Sequence, residues 1–159
     1  MRRLALLCAF AGLAACGGPA PQETAETPQP AAEKASVVPD ERRRFPAEGR
    51  LSMEVVPDRL LDKDYLPGGN VARYEKDGKA YTLFLLMAED PQQAAFLAVD
   101  IKDQLENPKY VPSFGGYFGM EGADPIFVFP KGRYVAGVVG LKQADADAVA
   151  RDFAARIPG

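Results

Sequence analysis

Leu51, Met53 and Val55 alternate with Ser52, Glu54 and Val56, a period of two that predicts a first strand, with Pro57 as its end. Asp58 to Asn70 follows as an irregular stretch, with a short helical turn around Leu60-Leu61 and a turn cluster at Leu66-Pro67-Gly68-Gly69-Asn70. Val71 to Tyr74 and Ala80 to Met87 predict two strands joined at Asp77-Gly78, a pair that tolerates the positive φ a tight hairpin needs. The second of these is apolar at nearly every position, which marks a central strand. Asp90-Pro91-Gln92-Gln93 then supplies a capping carboxylate, a proline suited to the first helical position and a glutamine at the third. Ala94, Leu97, Ile101 and Leu105 continue at helical spacing until Asn107-Pro108.

The layout returns downstream. Phe127 to Phe129 and Tyr134 to Leu141 predict strands across Pro130-Lys131-Gly132, and a helix follows from about Ala144, with Ala146, Val149, Phe153 and Ile157 on one face. Asp145 and Asp147 suit the positive end of that helix. The pattern reads as two hairpin-then-helix units, in spacing more than in identity. The fold class it implies is α+β, an antiparallel sheet with two helices packed on one face, in a single domain over residues 45–159. Both long strands are apolar on both faces, so the second face requires a cover: the chain's own residues 45–70, a second copy, another partner or an apolar ligand.

Between the units, Tyr110 to Met120 concentrates aromatics and glycines, read as a loop with a strand from about Tyr117. Tyr117 and Phe118 as core residues compete there with a flexible aromatic rim, for which Tyr110, Phe114, Tyr117, Phe118 and Met120 are the candidate binding residues. No Lys-Ser or Lys-Thr follows the glycines, which excludes a phosphate cradle of the P-loop kind.

Upstream of the domain, Arg2 and Arg3 open a short apolar run, Leu4 to Ala15, that has the anatomy of a secretory leader. The run is far below the about 20 residues of a spanning helix. Leu13-Ala14-Ala15-Cys16 at its end resembles the lipobox of bacterial lipoprotein precursors. The resemblance implies that residues 1–15 are removed as a signal peptide and that Cys16 carries a thioether-linked diacylglycerol and an N-acyl chain. An ordinary leader with an incidental cysteine is the alternative. A residue other than aspartate after the cysteine, here Gly17, goes in this family with export to the outer membrane, facing the periplasm. Pro19, Pro21, Pro28, Pro30 and Pro39 lie in a segment almost free of large apolar residues, which makes residues 16–44 the lipidated N-terminus and a disordered spacer. Glu41-Arg42-Arg43-Arg44 closes it, read as a solvated junction in preference to a contact with anionic headgroups.

Charge and composition narrow the chemistry. Loss of Arg2 and Arg3 takes the 19 basic side chains to 17 against 22 acidic ones, a formal balance of −5 that argues against nucleic acid or an anionic membrane as the main partner. The chain has no histidine, the commonest general base and metal ligand. Its two cysteines are Cys8 in the leader and Cys16, so no disulfide and no free thiol is expected after lipidation. Ser36, Ser52, Ser113, Thr24, Thr27 and Thr82 lack any nucleophile-elbow setting. Asp58, Asp62 and Asp64 do not have the spacing of a calcium loop and read as a solvated acidic loop. Glu121 and Asp124 are the carboxylate pair an acid-base enzyme would need, in what reads as an exposed turn. No catalytic or metal-ligating residue and no cofactor beyond the lipid is assigned. The function expected is a non-enzymatic binding or scaffolding lipoprotein with a protein partner in the cell envelope. The alternatives are a carrier of a small apolar molecule or lipid, and a carboxylate-dependent enzyme.

Overall fold

The computed structural model describes residues 37–159, so Cys16 and the rest of the lipobox lie outside the described residues. Seven strands form one antiparallel sheet: β1 (Arg50–Asp58), β2 (Pro67–Lys76), β3 (Lys79–Met87), β4 (Glu106–Val111), β5 (Gly116–Glu121), β6 (Asp124–Lys131) and β7 (Tyr134–Val139). Helix α1 (Pro91–Asp103) lies between β3 and β4, and α2 (Gln143–Ala155) follows β7. The class is α+β. Across the sheet the order is β1-β2-β3-β7-β6-β5-β4, which puts the apolar β3 in the interior beside the middle strand β7.

That order dictates the path of α1. Counted across the antiparallel ladders, β3 and β4 run in the same direction, and β7, β6 and β5 lie between them. Such a connection has to cross a face of the sheet, and a helix is the usual way to do so. The cap is as the sequence predicts: Asp90 accepts from the Gln93 backbone N–H at 2.8 Å, with Pro91 at the start. At the first hairpin Asp77 (φ 52°) and Gly78 (φ 71°) both take the left-handed conformation.

The helices occupy opposite faces, not one face as the sequence reading had it. Phe84 and Leu86 of β3, with Val128 and Val135, pack with Ala94, Ala98 and Ile101 of α1. Leu83 and Leu85, with Phe127, Phe129, Ala136 and Val138, pack with Ala146, Ala150 and Phe153 of α2. Each face therefore has its own helix, which is why β3, β6 and β7 are apolar at successive positions. The two hairpin-helix units are also not spatial copies. Moving the first onto the second takes a half turn about the sheet normal, because β3 and β7 are antiparallel neighbours, and such a turn keeps the helix on its original face.

Irregular segments complete both covers. On the α2 face Phe45 lies 5.0 Å from Phe153, ring to ring, and the buried Tyr74 hydroxyl donates to the Pro46 carbonyl at 2.8 Å. On the α1 face Leu60 and Leu66 are buried beside Phe84 and Leu86. Arg59, Leu61 and Asp62 around them hold positive φ, a local strain of order 1 kcal/mol per residue that the buried leucines offset.

Three segments differ from the sequence reading. Pro57 does not end β1, because an edge strand tolerates a residue with no N–H to donate. Pro67 to Asn70 belong to β2 and form no turn; a Cβ on Gly68 would sit 2.2 Å from the Pro57 carbonyl oxygen, so the glycine serves close strand approach. Residues 106–111 form the edge strand β4, which takes Tyr110 and Val111 out of the expected loop, with Asn107 at φ 50° and Pro108 inside a break in the ladder.

Burial also sets the alkaline limit of the fold. Loss of solvent pushes the Tyr74 phenol up to about 12, against the lowering effect of Arg50, and burial raises Tyr81 as well. Tyr65 is raised further still, by burial and by its hydrogen bond to Glu121. Below the ordinary phenol value of about 10 both folded and unfolded chains hold these protons, and the stability is intact. Above it the unfolded chain releases them first, so stability falls as pH rises toward 12. The urea midpoint is expected to drop between pH 9 and 11, and less steeply in Tyr65→Phe; a flat profile would contradict the assignment.

Candidate functional site

The five aromatic-rim candidates do not converge. Strand alternation sends them to both sides of the sheet. Tyr110 and Tyr117 face each other across β4 and β5 with ring centroids 5.6 Å apart, and Tyr117 packs on the α1 side. The Lys102 ammonium lies 5.8 Å from the Tyr117 ring centre. Phe118 and Phe114 pack on the α2 side, and Met120, in register with Pro125, shares the side of Phe118. Of the five only Tyr110 is largely exposed. Phe114 belongs to an aromatic cluster, 5.0 Å from Phe127 and 4.9 Å from Phe129, under the Arg151 guanidinium at 5.1 Å. A cavity of about 460 Å³ opens beside it, lined by Ser113, Phe129, Lys131, Arg151 and Ala154 among others.

Of the two carboxylates considered for catalysis, Glu121 is taken up structurally. Glu121 accepts from the Tyr65 hydroxyl at 2.8 Å and pairs with Lys63 at 2.8 Å, which ties the β1–β2 connection to the end of β5. Asp124 is exposed at the start of β6. Asp58 and Asp64 stand 3.8 and 3.7 Å from Arg59, as exposed ion pairs of little energetic weight. Among the described residues no cluster of three or more His, Cys, Asp or Glu is placed to hold a metal ion. Among them, too, no helix is long and apolar enough to cross a membrane.

Two features escaped the sequence reading. The first is the junction with the N-terminal segment, where residues 39–44 are built into the domain. Asn70, the one buried polar residue among those described, donates from Nδ2 to the Pro39 carbonyl at 2.9 Å and accepts at Oδ1 from the Glu41 N–H at 3.0 Å. Arg44 pairs with Glu41 at 2.6 Å, donates to the Tyr134 hydroxyl at 3.2 Å and lies over its ring at 5.1 Å. Arg42 and Arg43 remain outside, so only part of the basic cluster is solvated. An asparagine beside two glycines looks like a turn in sequence, and only the partner 31 residues away reveals its use.

The second is a cavity of about 670 Å³ at the start of α1, lined by Pro67, Met87, Ala88, Leu97 and Phe96, with Glu89, Asp90, Gln92, Gln93 and Asp100 around them. Phe96 is 58% exposed at its lip. The available signal was its position off the buried stripe of Ala94, Ala98 and Ile101. Comparison with protein-family models, with curated proteins and with solved structures finds no match for this chain.

Proposed function

We propose that this chain is a cell-envelope lipoprotein, moored to a membrane through acylated Cys16, whose folded domain acts as a non-enzymatic binding or scaffolding module. The observation that carries the reading is Leu13-Ala14-Ala15-Cys16 at the end of a short apolar leader. One chain gives only marginal attachment and two or more give stable anchoring, which suits a diacylglycerol plus an N-acyl group. From Cys16 to Pro39 a chain of this composition spans roughly 25–30 Å as a random coil, enough to hold the domain clear of the surface. The junction at Asn70 and Tyr134 supports the reading, because it gives the tether a defined point of attachment. The engagement of Glu121 by Tyr65 and Lys63 supports the non-enzymatic part.

Metabolic labelling with a fatty acid is expected to mark the wild-type protein and to leave Cys16→Ser unlabelled and uncut. Equal label in both, or label in neither, would contradict the proposal. A second reading, a carrier of a small apolar molecule, is favoured by the cavity beside Phe114. Native mass spectrometry of the membrane-extracted protein is expected to retain a bound molecule on that reading, and only bare chain without it.

A further inference from the structure

The groove at the start of α1 has a floor and a rim of different character. Its floor is apolar: Pro67 from β2, Met87 and Ala88 from the end of β3, and Leu97 from α1. Its rim carries the carboxylates of Glu89, Asp90 and Asp100 and neither lysine nor arginine lines it, while the Arg133 guanidinium, which donates to the Ala88 carbonyl at 2.9 Å, lines the adjoining cleft together with Glu89. Several acidic side chains elsewhere are offset by a basic neighbour, as Glu41 is by Arg44, Glu121 by Lys63 and Asp147 by Arg151. Among the described residues these three carboxylates form no salt bridge; Asp90 is engaged only in capping α1. Phe96, one turn of helix before Asp100, is largely exposed and lines the same groove. A phenylalanine on the outer face of a helix contributes nothing to its own core, and its open π-face beside three negative charges favours a cation.

We infer that this groove docks a partner segment that carries a lysine or arginine next to an apolar side chain. The apolar residue fills the floor against Met87 and Leu97, and the cation lies over Phe96 within reach of Glu89 and Asp100. An acidic or purely apolar partner would leave the carboxylates desolvated without a counter-charge, which is costly. An anionic membrane surface is disfavoured for the same reason. The groove adjoins the point where the N-terminal segment enters, since Pro67, Met87, Ala88 and Glu89 also line the cleft that contains Val37, Val38 and Pro39. The docked partner therefore lies at the tethered end of the domain. This inference rests on the binding-module reading but not on the tether itself.

The test uses the full chain in a neutral detergent and two short peptides, one alternating leucine with lysine and one alternating leucine with glutamate. Glu89→Lys combined with Asp100→Lys changes only exposed side chains and leaves the Asp90 cap in place, and Phe96→Ser removes the ring. The lysine peptide is expected to bind the wild type more tightly than the glutamate peptide, with affinity that falls as salt is added. Phe96→Ser should weaken it about tenfold, and the double lysine variant should reduce it to the background shared by both peptides. Equal binding of the two peptides, or wild-type affinity in both variants, would overturn the inference. Fatty-acid labelling of Cys16 is unaffected by either result, so failure of the groove and failure of the mooring are distinguishable.

Discussion

Gly137→Ala is expected to destabilise the domain by about 3 kcal/mol, more than any exposed substitution considered above. Gly137 stands in β7, the middle strand, directly opposite Phe84 of β3. A Cβ at this position would fall 2.2 Å from Cε1 and Cζ of the Phe84 ring and 2.8 Å from the Phe127 carbonyl oxygen. Neither neighbour is free to retreat, because Phe84 is buried beneath α1 and the Phe127 oxygen belongs to the adjoining strand. Glycine weakens a strand on its own account, and the aromatic ring laid across it recovers the lost burial. Phe84→Leu alone is expected to cost about 1.5 kcal/mol. Combined with Gly137→Ala it should cost less than the two separately, by about 1 kcal/mol, since the smaller side chain vacates the space the new methyl needs. Urea unfolding of the four proteins checks this, and strict additivity would show that the ring and the glycine are not in contact.

Asn70→Ala is expected to cost about 2 kcal/mol and to free the junction while leaving the sheet folded. Its amide is the only partner of the Pro39 carbonyl and the Glu41 N–H among the described contacts, so its removal leaves both unpaired. The loss acts on residues 37–44 first, because the strands on either side of Asn70 pair through backbone. Trypsin reports it directly, with Arg42, Arg43 and Arg44 inside the released segment. Cleavage there should accelerate by roughly ten- to thirtyfold, in step with the population of the opened form. Unchanged cleavage, or cleavage spread through the sheet, would contradict a local role.

Elements whose cause is local were legible in the sequence. The Asp77-Gly78 hairpin, the Asp90-Pro91 helix start and the apolar stripes of both helices follow from turn chemistry, capping and periodicity. The placement of the helices was not legible, although its signature was present. Strands apolar at successive positions announce two covered faces, and two helices are available to cover them. What sequence spacing lacks is the order β3-β7-β6-β5-β4, which sends α1 across one face and leaves the other to α2. Pro67 to Asn70 misled for a related reason, and Asn107-Pro108, read as the stop of the first helix, lies beyond its end but inside the edge strand β4. Glycine, proline and asparagine mark turns by default, whereas here they serve close strand approach, a break in an edge strand and a long-range amide clamp.

The candidate site was less legible than the fold. Five aromatic-rim residues close in sequence were split by the alternation of β5 and the turn before it, so proximity along the chain did not become proximity in space. Phe96 and its three carboxylates come from two stretches that each read as ordinary helix start and helix surface, and only the pleat that brings Pro67 and Met87 beneath them makes a groove.

Intact-mass analysis of the protein extracted from a bacterial membrane bears most directly on the mooring. A chain that begins at Cys16 and carries the added mass of a diacylglycerol and an N-linked acyl group is the expected result. A free thiol at Cys16, or a mature chain that starts elsewhere, would contradict it.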